Sequence, residues 1–151
     1  MLQGDTLKKT RPSYYLLVGG VFLIIDQFLK FLARTHTNYS YYLYKPWVGW
    51  EYFENTGIAF GLNIPTWFLI IITPIILVLF VHLFLEKSFL AKTGILSLLL
   101  PGAISNFIDR ILFGVTIDYL RFFTTLFNIA DVLIISGILI LIFHYLNKEE
   151  G

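Results

Sequence analysis

Four aspartates, Asp26, Asp109, Asp118 and Asp131, lie within or at the edges of long apolar runs, where ionisable side chains are costly and mark working sites. Residues 98–137 alone hold three of the chain's ten acidic residues, with Asn106, Arg110, Arg121 and Asn128 among them. Two carboxyl groups brought close together in a poorly hydrated site cannot both ionise easily, so they share a proton. The charged member can take a proton from water while the neutral member polarises a carbonyl. That is general acid–base chemistry for amide hydrolysis without a covalent intermediate.

Other chemistries find little support. Cysteine is absent, which excludes a disulfide framework, a thiolate nucleophile and a thiolate metal site. His36, His82 and His144 are far apart, and no pair has the four-residue spacing of a zinc-binding helix. No Ser–His nucleophile can be assembled near the aspartates. No metal and no cofactor are therefore expected, and the net charge of +1 gives no sign of nucleic-acid binding.

Spacing alone does not say which two aspartates pair. Asp26 precedes Lys30 by four residues, the favourable acid-first order on a helix. Asp109 stands beside Arg110, and both pairings read as structural neutralisation near the site. Asp118 and Asp131 have no adjacent cation, which makes them the better pair. Asn128 and Asp131 also have the spacing of a helix N-cap and its acidic partner. A charge at that helix start is favoured by about 0.3–1 kcal/mol, so Asp131 is expected to ionise more readily than Asp118.

The elements that must position these groups are membrane spans. The 151 residues are 57% hydrophobic and only 14% charged, with a mean hydropathy of +0.75. A soluble domain carries about a quarter charged residues. The apolar residues come in runs, which points to an integral membrane protein, mainly α-helical, with four spans over residues 14–33, 67–85, 93–108 and 129–146. A basic tail with Lys8, Lys9 and Arg11 precedes the first run, as in a cleavable signal. The internal Asp26 and Lys30, and the lack of a small-x-small cleavage site, favour a retained span instead. Gly94, Ser97, Gly102, Ala103 and Ser105 predict close helix contact in the third span, and Pro101 predicts a kink. Gly102, Asn106 and Arg110 then share one row at four-residue spacing.

Residues 35–65 are too polar to cross and rich in aromatics, among them Tyr39, Tyr41, Trp47 and Trp50. They predict a small extramembrane β platform after the first helix, lying on lipid headgroups. Within it, residues 54–61 predict a tight turn around Asn55 and Gly57. Residues 114–127 read as a polar and aromatic connection. Four spans put both termini on one side. Lys8, Lys9, Arg11, Lys87, Lys92 and Lys148 on that side lie closer to span ends than Arg34, Lys45, Arg110 and Arg121 on the other, which favours a cytoplasmic placement of the termini. The aspartates then converge near the outer face.

The chain resembles lipoprotein signal peptidase, the bacterial signal peptidase II family of membrane aspartyl proteases, over almost its whole length. The carrying segments are Asp26-Gln27 with Lys30, and Asn55-Thr56-Gly57-Ile58-Ala59-Phe60-Gly61. They continue with Gly102-Ala103, Asn106 and Asp109-Arg110, then residues 114–118, then Phe127-Asn128-Ile129-Ala130-Asp131. Five in register make a specific match. The resemblance implies Asp118 and Asp131 as the catalytic pair, and Asn55, Gly57, Asn106, Arg110 and Asn128 as groups that shape the site or hold substrate backbone. It implies a prolipoprotein substrate already carrying a diacylglyceryl group on cysteine, cut just before that cysteine, and binding of the cyclic peptide globomycin. It also implies the bacterial inner membrane as location, with membrane lipids as partners. Pro101 and Ser105 stand where the family usually has glycine, Tyr119 where phenylalanine is commoner, and Thr125-Leu126 where Trp-Pro often occurs. Two other classes would use the same residues: a transporter relaying protons through the aspartates, and an assembly factor in which Asn128 and Asp131 only cap a helix.

Overall fold

The computed structural model describes residues 12–57, 64–85 and 93–149. The basic tail, the Ile58–Gly61 part of the turn motif, and Lys87 and Lys92 lie outside the described residues, as does the side chain of Lys148. Element order is α1 (Pro12–Thr35), β1 (Ser40–Tyr44), β2 (Val48–Asn55), α2 (Thr66–Leu85), α3 (Thr93–Phe113), β3 (Thr116–Phe122), β4 (Thr125–Phe127) and α4 (Ile129–Glu149). The protein is mostly helical with one small antiparallel sheet.

Inside and outside are inverted relative to a water-soluble fold. Among the described residues, nine buried apolar side chains are matched by nine buried polar or charged ones. Leu17, Ile24 and Phe28 on α1, Ile75 and Val78 on α2, and Ile142 and Phe143 on α4 are exposed. Apolar area of that extent facing outward marks a lipid-facing surface. Two helical stretches, Tyr14–Thr35 and Gly94–Phe113, are long and apolar enough to cross a membrane by length and composition. The apolar parts of α2 and α4, Thr66–His82 and Ile129–His144, are shorter.

Helix α3 is the hub. It packs on α4, α1 and α2, and it runs through Pro101 to Phe113, five residues beyond the expected end at 108. Asp109 and Arg110, beyond that end, are therefore helical, as the expected Gly102–Asn106–Arg110 row requires. Gly102 allows the closest approach. A Cβ there would lie 2.6 Å from the Ala130 carbonyl oxygen and 2.9 Å from Ile134 Cγ1 on α4. Gly114 ends the helix with φ +75°, its N–H donating to the Arg110 carbonyl at 3.1 Å. Glycine takes this left-handed turn without steric cost.

The expected platform exists, but only half of it follows the first helix. The sheet order is β1-β2-β3-β4, and its second hairpin comes from residues 116–127, the segment read as a connection. Pairing of β2 with β3 sets Asn55 opposite Thr116 and Phe53 opposite Asp118. A register shift between Trp50 and Phe53 marks an extra residue on β2. Ala33 of α1 packs on Ile117 and Tyr119 in the sheet core, so the platform sits on the end of α1.

Replacing Gly102 with alanine is expected to force α3 and α4 apart, costing about 1–3 kcal/mol. A Cβ at Gly20 would meet nothing within 4 Å. Thermal unfolding in detergent should therefore show a clear drop for Gly102→Ala and none for Gly20→Ala.

Candidate functional site

The C-terminal ends of α1 and α3, the N-terminal end of α4 and the edge of β3 meet at one polar cluster. Asp118, on β3, is fully buried. Its Oδ1 accepts from Asn128 Nδ2 at 2.7 Å and its Oδ2 from Asn55 Nδ2 at 2.9 Å. Asp131, in the first turn of α4, is held in matching fashion. Its Oδ1 accepts from Asn106 Nδ2 at 2.8 Å and its Oδ2 from the Asn128 backbone N–H at 3.2 Å. Each carboxyl thus receives two N–H donors, and Asn128 contributes to both.

Asn128 can do this because it is also the helix cap. Its Oδ1 accepts from the Asp131 backbone N–H at 2.9 Å, completing a reciprocal capping box at the start of α4. The capping oxygen points one way, so the amide nitrogen must point the other, at Asp118 and at the Ile117 carbonyl 3.2 Å away. Asn55 is oriented by the same logic: its Oδ1 accepts from the Gly57 N–H at 2.9 Å, leaving Nδ2 for Asp118. Arg110 Nη2 donates to the Gly57 carbonyl at 3.2 Å, and its charge acts on Asp131, Asp109 and Asp118.

Beneath this pair lies a second, charged layer. Lys30 Nζ is 3.0 Å from Asp26 Oδ2 and 3.0 Å from Asp109 Oδ2, and donates to Asn106 Oδ1 at 2.8 Å. The expected Asp26–Lys30 pair is present. Asp109, however, is paired with Lys30 across two helices and with the Ile117 N–H at 3.0 Å, not neutralised by the adjacent Arg110. Ser105 donates to Asp26 at 2.6 Å and accepts from Gln27 and Lys30. Tyr119 donates to Asp26 Oδ1 at 2.7 Å and accepts from the Ile129 N–H. Burial and the Asp26 carboxylate push the Tyr119 phenol upward, keeping it a donor.

All ten residues singled out from the sequence belong to this region. Asn55, Gly57, Asn106, Arg110 and Asn128 surround Asp118 and Asp131, while Asp26, Lys30 and Asp109 form the layer beneath. In the sequence Gln27 stands out only within a motif, Tyr119 as a departure and Ser105 as a departure and a small packing residue, yet each is a hydrogen-bonding member of the lower layer. Ser105 precedes Asp109 by four residues, a spacing that hints at a shared face. Thr116 had no signal. Its buried hydroxyl has no hydrogen-bond partner among the described residues, and it shares a face of β3 with Asp118. Among the described residues no cluster of histidine, cysteine or acidic side chains is arranged to hold a metal ion.

Comparison with known proteins is consistent along the chain. A family model described as signal peptidase (SPase) II matches residues 18–147. A lipoprotein signal peptidase of Caldanaerobacter subterraneus subsp. tengcongensis is 36% identical over 127 residues, covering 79% of this chain and 86% of that relative. One from Chlorobium phaeobacteroides is 34% identical over 153 residues, covering 87% and 94%. Two solved structures, both described as bacterial membrane enzymes studied by the in meso method, share the fold at 29% identity. Their TM-scores are 0.82 and 0.76, with 91% and 89% of this chain covered and 90% and 93% of theirs.

Burial, and then the charge of Asp131, push the Asp118 carboxyl up to about 7, against the pull of Asn55, Asn128 and Lys30. A folded value above the unfolded one, about 3.9, means that the folded chain binds this proton more tightly. Asp118 therefore costs the fold nothing well below pH 4 and progressively more as pH rises from about 4 to about 7. Infrared difference spectra of wild type minus Asp118→Asn should show a protonated carboxyl that disappears around pH 7; disappearance near pH 4 would contradict this assignment.

Proposed function

The chain belongs to the signal peptidase II family, and from that premise we propose that it is a membrane aspartic endopeptidase that removes signal peptides from diacylglyceryl-modified prolipoproteins, cutting before the lipidated cysteine. The observation that carries this reading is the paired holding of Asp118 and Asp131 by amide donors, with Asn128 reaching both. Membership in the family makes the protein a membrane-bound protease acting on prolipoproteins. The dyad and the cleavage position are the finer steps.

In this mechanism Asp131 is the ionised partner and Asp118 carries the proton. Asp131 sits in the first turn of α4, where the helix dipole favours negative charge. Asp118 is on a strand, fully buried and held protonated up to about pH 7. A water between them loses a proton to Asp131 as it attacks the scissile carbonyl, whose oxygen accepts a hydrogen bond from Asp118. Collapse of the tetrahedral intermediate breaks the C–N bond, and the proton passes to the leaving amine of the lipidated cysteine. Arg110 and the Asn55–Gly57 turn are suited to hold substrate backbone beside this point.

All four helices cross the membrane in this reading, with both termini cytoplasmic and the site near the outer face of the bacterial inner membrane. Support comes from helix lengths of 24, 20, 21 and 21 residues, and from the sheet gathered where α1 and α3 end and α4 begins. A span needs about 20 residues. Globomycin-type cyclic peptides would bind at the same site, by resemblance to the family.

A gel-mobility cleavage assay in lipid should show that only the diacylglyceryl-modified prolipoprotein is cut. Asp118→Asn and Asp131→Asn should each abolish cutting, by a factor of at least ~10³. Full activity in Asp131→Asn would reduce that residue to a helix cap, because asparagine caps as well as aspartate. No cutting of either substrate by the wild type would turn attention to ion flux through the aspartates.

A further inference from the structure

The two carboxyl groups have similar donor sets, so the side chains around them must supply the asymmetry that the mechanism needs. Asn106 lies between Asp131 and the buried lysine. Its Oδ1 accepts from Lys30 Nζ at 2.8 Å, and its Nδ2 donates to Asp131 Oδ1 at 2.8 Å. An ammonium has no acceptor, so it fixes the amide with oxygen inward and nitrogen toward Asp131. A charge-assisted bond at one end of an amide also strengthens the N–H it donates at the other. Asp118 receives its two amides from Asn55 and Asn128, which are oriented by neutral backbone N–H groups.

Resting on the dyad reading above, we infer that Lys30 is a positioning residue for the reaction: through Asn106 it assigns the ionised role to Asp131 rather than to Asp118. Lys30 touches neither carboxyl of the pair. Three N–H bonds are available to it, and its closest neighbours are the Asn106 amide, Asp26 and Asp109. Two carboxylates would neutralise an ammonium without help, so the third contact is what links the charge to the site.

Several other charged and titratable groups face Asp131. Asp26 and Lys30 act on it from α1, Arg110 from α3, and Asp118 and Tyr119 from β3. Asp109 is joined to the same layer through Lys30. Of these, Lys30 and Arg110 are the cations, and among the described residues only Lys30 has a hydrogen-bonded path to Asp131, by way of Asn106.

The test is the pH dependence of kcat/KM on a synthetic peptide bearing a diacylglyceryl cysteine. Removing Lys30 alone strands Asp26 and Asp109, so Lys30→Met is paired with Asp109→Asn, which keeps the net charge of the layer. Asn106→Ala breaks the link while leaving Lys30 with its carboxylates. Both variants are expected to move the acid limb of the profile upward by about one pH unit, a tenfold loss at low pH that is regained at high pH. Combined, they should shift the limb no further than either does, because both cut one path. A merely structural role would lower the rate equally at every pH, and an unmoved limb in Asn106→Ala would overturn the inference. Should the lysine variant fail to fold, Lys30→Arg takes its place: displacing the Asn106 contact should move the limb the same way, and an unmoved limb there would overturn the inference. Asp118→Asn and Asp131→Asn in the same assay separate the two levels: residual cutting there sinks the dyad, whereas lost cutting with an unmoved limb sinks only the role of Lys30.

Discussion

A lysine ammonium buried between apolar helices has to be surrounded by acceptors, and the rest of the structure follows from how Lys30 meets that demand. Its own helix supplies Asp26, and α3 supplies Ser105, Asn106 and Asp109. The carboxylates then need their remaining lone pairs filled. Asp26 takes the Tyr119 hydroxyl from β3 and the Ala130 N–H from α4, and Asp109 takes the Ile117 N–H. One charge therefore fixes the relative placement of α1, α3, α4 and the sheet. Such a cluster adds little net stability compared with an apolar core, yet losing one partner costs about 3–5 kcal/mol. Its contribution is register: sliding α1 or α3 by a turn would strand a charge.

Orientation of the site is then settled by asparagine chemistry. Asn55, Asn106 and Asn128 each have one amide end committed, to the Gly57 N–H, to Lys30 and to the Asp131 N–H. The other end is obliged to donate to a carboxyl. Aspartate at any of these positions would offer only acceptors and set like charges together. Side chains that both accept and donate are needed wherever a carboxyl pair must be held without a cation in direct contact.

Much of this was legible in the sequence. The helices begin and end within a few residues of the apolar runs, apart from α3, and the Asn128–Asp131 cap was readable from spacing alone. Two features were not. The β3–β4 hairpin escaped notice because Thr116, Ile117, Asp118 and Tyr119 are all buried, so the polar–apolar alternation that reveals a half-exposed strand is missing. The partner of Asp109 is Lys30 and not Arg110, its neighbour in sequence. Adjacent residues on a helix point about 100° apart, so Arg110 faces the Gly57 turn while Asp109 faces Lys30. Which cation neutralises which carboxylate is a property of tertiary packing, and local spacing reports it only at three or four residues' separation.

The placement of the two carboxyls on different kinds of element explains how a nearly symmetric site becomes unequal. A strand has almost no dipole, so Asp118 gains no help in carrying charge from β3, and burial raises it against the pull of Asn55, Asn128 and Lys30. A helix start offers free N–H groups and a partial positive charge, and Asp131 occupies that position. The sheet and the helix therefore supply different electrostatics within one polar cluster. Two aspartates on facing helices in mid-bundle would be more alike and drier. Placing one carboxyl on a short strand, and the other where a helix begins, gives a single residue type two unlike electrostatic settings.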